Sequence, residues 1–374
     1  MKPKFRNEAV YTFADEALRK KMAEAIARVE AEAGREYDIV VGGERLKGDG
    51  TFKTVNPSSK GQVLGLFQKA TVDIAEKAVK VADTAFEQWS RVPPGDRADY
   101  LFKAAEIMRR RRLELDATMV LEVGKNWIEA DADTCEAIDF LEFYAREMLR
   151  YARPQELTEL PGEQNEYFYI PLGVGVVVPP WNFPLAILAG MTSAAIVAGN
   201  TVVLKPSSDS PLIAQKFVEI MEEAKLPPGV LNFVTGSGGT IGNTLVGHHR
   251  TRFISFTGSR EVGLSIVGLA AKTQPGQIWI KRVVAEMGGK DAIVVDREAD
   301  LDAAAQGVMV SAFGFQGQKC SACSRAIVVK EVYDEFLEKL AALVKKIVVG
   351  PTKDPANWMG PVVNQRAMES ILRY

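Results

Sequence analysis

At 374 residues the chain is long enough for two domains, each with its own core. Hydrophobic residues at 47% and charged residues at 25% are ordinary for a globular protein. Lys plus Arg (46) nearly balance Asp plus Glu (48), which excludes the overall field of a nucleic-acid or membrane-surface binder.

The N-terminus, Met1-Lys2-Pro3-Lys4-Phe5-Arg6, runs into charged sequence with no apolar core behind it, unlike a secretory signal. Residues 14–33 carry helix formers with charges at helical spacing, closed by Gly34. Residues 38–46 read as strand, Gly42-Gly43 turn, strand. Helical periodicity then runs over 72–151, punctuated at Pro93-Pro94-Gly95 and Gly124. The run Arg109-Arg110-Arg111-Arg112 falls in the amphipathic stretch 100–123, where a solvated helix face is expected. Residues 153–169, with Pro154, Pro161-Gly162 and alternation around Tyr167, Phe168 and Tyr169, read as a long hairpin leaving the main body. No charge occurs over 170–204, a length that could cross a bilayer. Pro179, Pro180, Pro184 and Gly199-Asn200 break it instead into a buried strand (173–178), a small-residue helix (185–198) and a second strand (201–204).

Strands at 230–234, 252–256 and 278–284 then alternate with helical stretches at 211–224, 240–246 and 260–271. That pattern predicts a parallel sheet covered on both faces, with ligands at the carboxyl ends of its strands. A second alternation follows: strand 292–295, helix 301–313, strand 326–329, helix 332–348. Residues 364–374 are helical in pattern and stop without a cap, so a C-terminally truncated chain is expected.

Cys320 and Cys323 lie in Gly317-Gln318-Lys319-Cys320-Ser321-Ala322-Cys323-Ser324-Arg325, a polar loop ahead of a strand. An exposed cysteine near positive groups becomes a thiolate nucleophile, whereas core cysteines are inert. Cys135 sits among helical residues and is expected to be structural. Three cysteines make no disulfide framework, which points to a reducing, cytoplasmic setting. The Cys320/Cys323 spacing also matches a redox or half-zinc motif; without a second pair, and with only His248 and His249 available, no metal site is expected. No Cys–His proximity argues for a papain-type triad.

Glu286-Met287-Gly288-Gly289-Lys290 follows an apolar strand. A carboxylate at a strand end, followed by two glycines, suits a mobile general base that reaches a water, a plain turn being the alternative. Pro179-Pro180-Trp181-Asn182-Phe183-Pro184 lies between strand and helix and offers the Asn182 amide to an oxygen gaining negative charge. Gly236 to Gly242 and Thr257-Gly258-Ser259 are strand–glycine–helix junctions. Their N–H groups can face phosphates, or the glycines can serve close helix–sheet packing. Lys205, at a strand end, can add a cation near a ribose or phosphate.

Together the Pro-Trp-Asn-Phe-Pro run, Lys205-Pro206-Ser207, Phe256-Thr257-Gly258-Ser259, Glu286 with its glycines and Gly317-Gln318-Lys319-Cys320 resemble, in order and spacing, the aldehyde dehydrogenase superfamily. The likeness spans residues 38–374. A narrower resemblance is to the 1-pyrroline-5-carboxylate dehydrogenases, which oxidise glutamate γ-semialdehyde to glutamate in proline and arginine catabolism. It rests on Phe315 to Ser321, Glu136-Ala137-Ile138-Asp139-Phe140, Phe5-Arg6-Asn7-Glu8, and Pro275-Gly276-Gln277 with Lys281-Arg282.

The resemblance implies an α/β fold: a parallel Rossmann-type cofactor domain (residues 1–153 and 171–284), an oligomerisation hairpin (154–170) and a second α/β catalytic domain (285–374, its N-terminal part only). It implies NAD as cofactor. NADP is not excluded, because Ser208 stands where NAD-preferring relatives often carry Glu. It further implies a small aldehyde substrate, no nucleic-acid or membrane partner, and a homo-oligomer in the full-length form. Cys320 would be the nucleophile, Asn182 and the Cys320 N–H the oxyanion donors, and Glu286 the base. Cofactor contacts carried over are Pro179, Trp181, Lys205, Ser207, Ser208, Gly238, Gly242, Phe256, Thr257, Gly258, Ser259, Met287 and Gly288; substrate contacts are Glu136, Phe183 and Ser321. The family's Glu-x-Phe-x-Pro segment does not occur in this chain. The alternatives are an aldehyde dehydrogenase of other specificity, an inactive nucleotide-binding fragment, and an acylating enzyme that passes its thioester to coenzyme A. Glu286 argues against the last, since transfer to a thiol needs no hydrolytic base.

Overall fold

The computed structural model describes residues 4–374; Met1 to Pro3 of the basic N-terminal run lie outside them. In chain order the first part comprises α1 (Glu16–Ala31), β1 (Arg35–Tyr37), β2 (Ile39–Val41), β3 (Glu44–Leu46), β4 (Thr51–Asn56), β5 (Ser59–Gln68), α2 (Val72–Trp89), α3 (Pro94–Val123) and α4 (Trp127–Tyr151). The middle holds β6 (Val174–Val178), α5 (Ala186–Val197), β7 (Thr201–Leu204), α6 (Pro211–Glu223), β8 (Leu231–Phe233), α7 (Asn243–Gly247), β9 (Thr251–Thr257), α8 (Arg260–Ala270) and β10 (Arg282–Glu286). The last part holds β11 (Asp291–Val295), α9 (Leu301–Phe313), β12 (Cys323–Val328), α10 (Tyr333–Val344) and α11 (Gln365–Arg373).

Local chemistry accounts for many of these boundaries. Asp15 caps α1 by accepting from Ala17 N and Leu18 N, and the helix buries Met22, Ala25, Ile26 and Val29, one face at helical spacing. Asn126 caps α4 through Glu129 N at 2.9 Å. Pro94 opens α3, and Gly124 closes it at φ 71°, a left-handed conformation that favours glycine. Gly42 and Gly43, at φ 62° and 84°, turn β2 back onto β3 as expected.

The main sheet has seven strands in the order β10-β9-β6-β7-β8-β2-β3. The first five run parallel, while β2 and β3 add an antiparallel edge. All of β7 and four of the five residues of β6 are buried, as strands covered by helices on both faces must be. Gly175 in β6 lies under the Phe253 ring, where a Cβ would come within 2.1 Å of it. A separate parallel pair, β11–β12, packs with α9 and α10 around Val295, Ala305, Val308 and Phe336. No helix among the described residues is long and apolar enough to cross a membrane.

Four differences from the sequence reading have physical causes. A third sheet, β1-β5-β4, occupies residues with no element expected from the sequence, and β4 and β5 pair antiparallel with each other. The strand expected over 278–284 starts at Arg282, where its register with β9 begins (Arg282 beside Phe253), and runs to Glu286. Its end therefore lies past the domain boundary expected at 284. Over 153–169 the chain reverses at Pro161-Gly162 and stays exposed, but it forms no strand, so the expected ladder is absent. The arginine run is a solvated face only at Arg110. Arg112 is buried, bidentate to Asp131 at 2.6 and 2.7 Å and 3.6 Å over the Tyr11 ring. Arg109 bonds Glu8 and Glu142, and Arg111 bonds Glu114 and Glu219.

Candidate active site

The carboxyl ends of β6, β7, β9 and β10 open into one groove of about 1740 Å³, where ligands of open α/β sheets bind. Every residue expected to contact cofactor lines it: Pro179, Trp181, Lys205, Ser207, Ser208, Gly238, Gly242, Phe256 to Ser259, Met287 and Gly288. Asn182 and Cys320 line it as well. The chain has thus brought residues from six separate strand ends and loops to one cleft.

The donors that face an anion come from helix starts and glycine turns. Ser259 caps α8 through Val262 N, so the N-terminus of that helix points its free N–H groups into the groove. Ser237 caps a π-helical turn, Gly238–Gly242; a Cβ added at Gly238 or at Gly242 would meet nothing within 4 Å, so both backbones are open to a ligand. Lys205 is only 6% exposed, and its Nζ donates to the Pro206 carbonyl at 3.1 Å. Burial lowers its ammonium to about 8. A buried cation with one neutral acceptor, beside open glycine turns and a helix N-terminus, fits a ligand carrying hydroxyls and phosphates. The groove therefore suits a dinucleotide.

Cys320 is exposed at the other end of this groove. Its loop follows Phe315 and Gln316, two non-glycine residues at φ 47° and 58°, a strained conformation that the surroundings must enforce. Glu129 accepts from Phe315 N at 2.7 Å, and Gln316 Nε2 donates to Pro361 O at 2.6 Å and Gly124 O at 3.1 Å. Asn182 Nδ2 donates to Gln318 O at 2.9 Å, which places the amide beside the Cys320 loop. Glu286 ends β10 exposed, and its carbonyl accepts from Gly258 N at 3.0 Å. Its side chain does not line the groove, although the following residues do. Gly289 passes so close that a Cβ there would stand 2.9 Å from the Cys320 carbonyl oxygen.

Of the expected substrate contacts, none lines the groove. Ser321 is exposed next to Cys320, Phe183 is half-buried next to Asn182, and Glu136 is exposed on α4. Cys135 is buried, and burial pushes its thiol up to about 12, in keeping with a structural role. Cys323 begins β12 and donates to Arg325 O at 3.4 Å. Several groove residues went unmarked in the sequence, among them Asp49, Lys69, Asn243 and Arg366. No local pattern marks them: α11 reaches the groove through Asn364, whose amide donates to Asp209 at 3.0 Å across 155 residues.

A model of the aldehyde dehydrogenase family matches residues 45–374. The 1-pyrroline-5-carboxylate dehydrogenase of Geobacillus sp. (strain WCH70) is 56% identical over 370 residues, 99% of this chain and 72% of that protein. The protein of the same name from Geobacillus thermodenitrificans (strain NG80-2) is also 56% identical, with the same coverage. Among solved structures, Thermus 1-pyrroline-5-carboxylate dehydrogenase with bound NAD matches with a TM-score of 0.97 and 49% identity, over 100% of this chain and 72% of that one. Proline utilization A from Bdellovibrio bacteriovorus, inactivated by N-propargylglycine, matches with a TM-score of 0.97 and 48% identity; the chain spans 39% of its length.

Proposed function

The chain belongs to the aldehyde dehydrogenase family, and from that membership we propose that it oxidises L-glutamate γ-semialdehyde, the open form of 1-pyrroline-5-carboxylate, to L-glutamate with NAD. The observation that carries the reading is the single groove in which an exposed Cys320 shares walls with the Lys205, Ser259 and glycine-turn set. The 56% identity to 1-pyrroline-5-carboxylate dehydrogenases supplies the substrate.

In this reading the Cys320 thiol releases its proton to solvent, its sulfur bonds to the aldehyde carbon, and the carbonyl electron pair moves onto oxygen. Asn182 Nδ2 turns from Gln318 O to that oxygen, joined by the Cys320 N–H; one such donor is worth roughly 3 to 4 kcal/mol. NAD held in the groove supplies the acceptor for the hydride. Cys320 then carries a thioester. Glu286, on its glycine-flanked strand end, takes a proton from water as the water oxygen adds to the acyl carbon, and the sulfur leaves. Lys205 holds a ribose hydroxyl, and the α8 N-terminus with Ser259 and the 238–242 turn faces the pyrophosphate. Phe183 and Ser321, which flank Asn182 and Cys320 in the chain without lining the groove, and Glu136 on α4 are carried over as substrate contacts from the family resemblance alone.

Residues 1–153 with 171–284 serve as the cofactor domain and 285–374 as the catalytic portion, with the sheet continuing to Glu286. The exposed segment 154–170, with Leu157, Leu160 and Tyr167 to Ile170 open to solvent, serves assembly into a homo-oligomer. A cytoplasmic setting accords with three free cysteines. The test is absorbance of reduced cofactor with a panel of aldehydes and with NAD against NADP. The highest kcat/KM is expected for 1-pyrroline-5-carboxylate with NAD; turnover confined to unrelated aldehydes would overturn the substrate, and no reduced cofactor with any aldehyde would overturn the activity.

A further inference from the structure

The end of α3 and the start of α4 reach both halves of the groove without lining it. Glu122, on the last turn of α3, is 1% exposed. Its Oε1 accepts from Leu212 N at 2.7 Å and from Thr54 Oγ1 at 3.2 Å, and its Oε2 accepts from Ile213 N at 2.9 Å. Those two N–H groups belong to the first turn of α6, whose own N-cap, Ser210, makes no side-chain capping bond. Glu122 thus caps α6 from another helix, about 90 residues away in sequence. The turn that α6 anchors, residues 205–210, is the wall formed by Lys205, Ser207 and Ser208.

Three residues later Lys125, also 1% exposed, bonds Asp133 Oδ2 at 2.6 Å. Its Nζ lies 4.3 Å from the Phe183 ring centroid and 4.7 Å from that of Phe315. One ring follows Asn182 and the other begins the strained loop that leads to Cys320, so a single buried cation touches both sides of the reaction centre. Asp133 Oδ1 accepts from Ala186 N at 2.6 Å and so ties the same cation to the start of α5. Between the two residues, the Gly124 carbonyl takes a bond from Gln316.

We propose that the α3–α4 junction is a bracket that positions both halves of the site, Glu122 setting the cofactor-gripping turn 205–210 and Lys125 setting the nucleophile loop 315–320 against Asn182. The inference rests on the cofactor and nucleophile assignments above. Neither residue touches substrate or cofactor; each acts through a loop.

The two arms have different readouts. Alkylation of Cys320 by iodoacetamide, in a Cys323→Ala background, needs neither cofactor nor aldehyde, and NAD affinity by calorimetry needs no thiol. Lys125→Met should slow alkylation and lower kcat by about a hundredfold, the effect of displacing a reacting group by 1 Å, with the NAD Kd within about twofold. Lys125→Met combined with Asp133→Asn, which keeps the Ala186 acceptor and leaves no orphan carboxylate, should fold and show the same pattern. Glu122→Leu should raise the NAD Kd roughly five- to tenfold with alkylation unchanged, and Glu122→Gln, which keeps one acceptor oxygen, should recover part of that. Alkylation within twofold of wild type in both Lys125 variants overturns the proposal. So does parallel loss of both readouts in every variant with a lowered Tm, which would mark a merely structural role. A wild-type chain that fails to bind NAD counts against the cofactor assignment, and the alkylation arm then decides the bracket alone.

Discussion

Lys205→Met separates folding from binding. The ammonium is displaced by burial from 10.5 to about 8. A displacement of that size corresponds to about 3 kcal/mol against the charged form in the folded, cofactor-free protein. The folded value is the lower one, so the unfolded chain binds more protons between pH 8 and 10.5. The penalty is therefore complete below pH 8 and fades as pH rises toward 10.5. Methionine keeps the volume of the lysine stem and removes the charge. At neutral pH the cofactor-free variant should gain on the order of 2 kcal/mol, about 3 from the removed charge less about 1 for the lost bond to Pro206 O. The gain should be smaller at about pH 9.5, where the wild-type lysine is largely neutral. NAD affinity should fall about 10- to 100-fold, since a charge-assisted hydrogen bond is worth roughly 1.5 to 3 kcal/mol. Thermal unfolding with and without NAD at both pH values, together with calorimetry, measures each quantity. A variant that melts below wild type at neutral pH, or that binds NAD as tightly, refutes the reasoning.

Three further outcomes are expected. Cys320→Ala should abolish aldehyde oxidation and leave NAD binding intact by calorimetry; more than a trace of turnover removes Cys320 as nucleophile. Glu286→Gln should reduce one equivalent of cofactor in a burst and then stall as the thioester, because attack and hydride loss need no base; steady turnover without a burst in rapid-mixing absorbance moves the base elsewhere. The Cys135 thiol is pushed up to about 12, so its thiolate fraction is negligible at neutral pH and grows only as pH approaches that value. Iodoacetamide at neutral pH should label Cys320 long before Cys135, by peptide mass spectrometry, and equal labelling would contradict the burial argument.

Elements whose cause is local are legible in the chain itself. Helix 301–313 and strand 201–204 fall where periodicity places them, and Gly42-Gly43 turns as two consecutive glycines should. Elements whose cause is a partner are not. Ile278, Trp279 and Ile280 have high strand propensity, yet pairing with β9 begins only at Arg282, and Ile278 and Ile280 remain 79% and 89% exposed. Four consecutive arginines suggest solvent until the fold delivers Glu8, Asp131, Glu142 and Glu219 to three of them. Alternation of Tyr167, Phe168 and Tyr169 suggests a ladder, but among the described residues nothing pairs with them as a strand.

The same division runs through the site. Cys320, Asn182, Lys205 and Ser259, the residues assigned to the proposed reaction, can be picked out because each sits in a short peptide at a strand end, turn or helix cap, and that property survives in one dimension. Glu122, Lys125 and Glu129 have no such peptide; they read as the polar residues of one helix end and the next helix start. Their effect exists only across distance, with Glu129 holding Phe315 N over 186 residues and Gly124 holding Gln316 over 192. A reactive thiol on a left-handed, non-glycine loop is useful only if that loop cannot relax, and relaxation of φ at Phe315 and Gln316 would gain on the order of 1 kcal/mol each. Part-buried bonds from Glu129 and Gln316, with a cation between two rings, exceed that amount together. The groups assigned to the proposed reaction can therefore be read from motifs, while the rigidity that would hold them in place resides largely in residues that motifs omit.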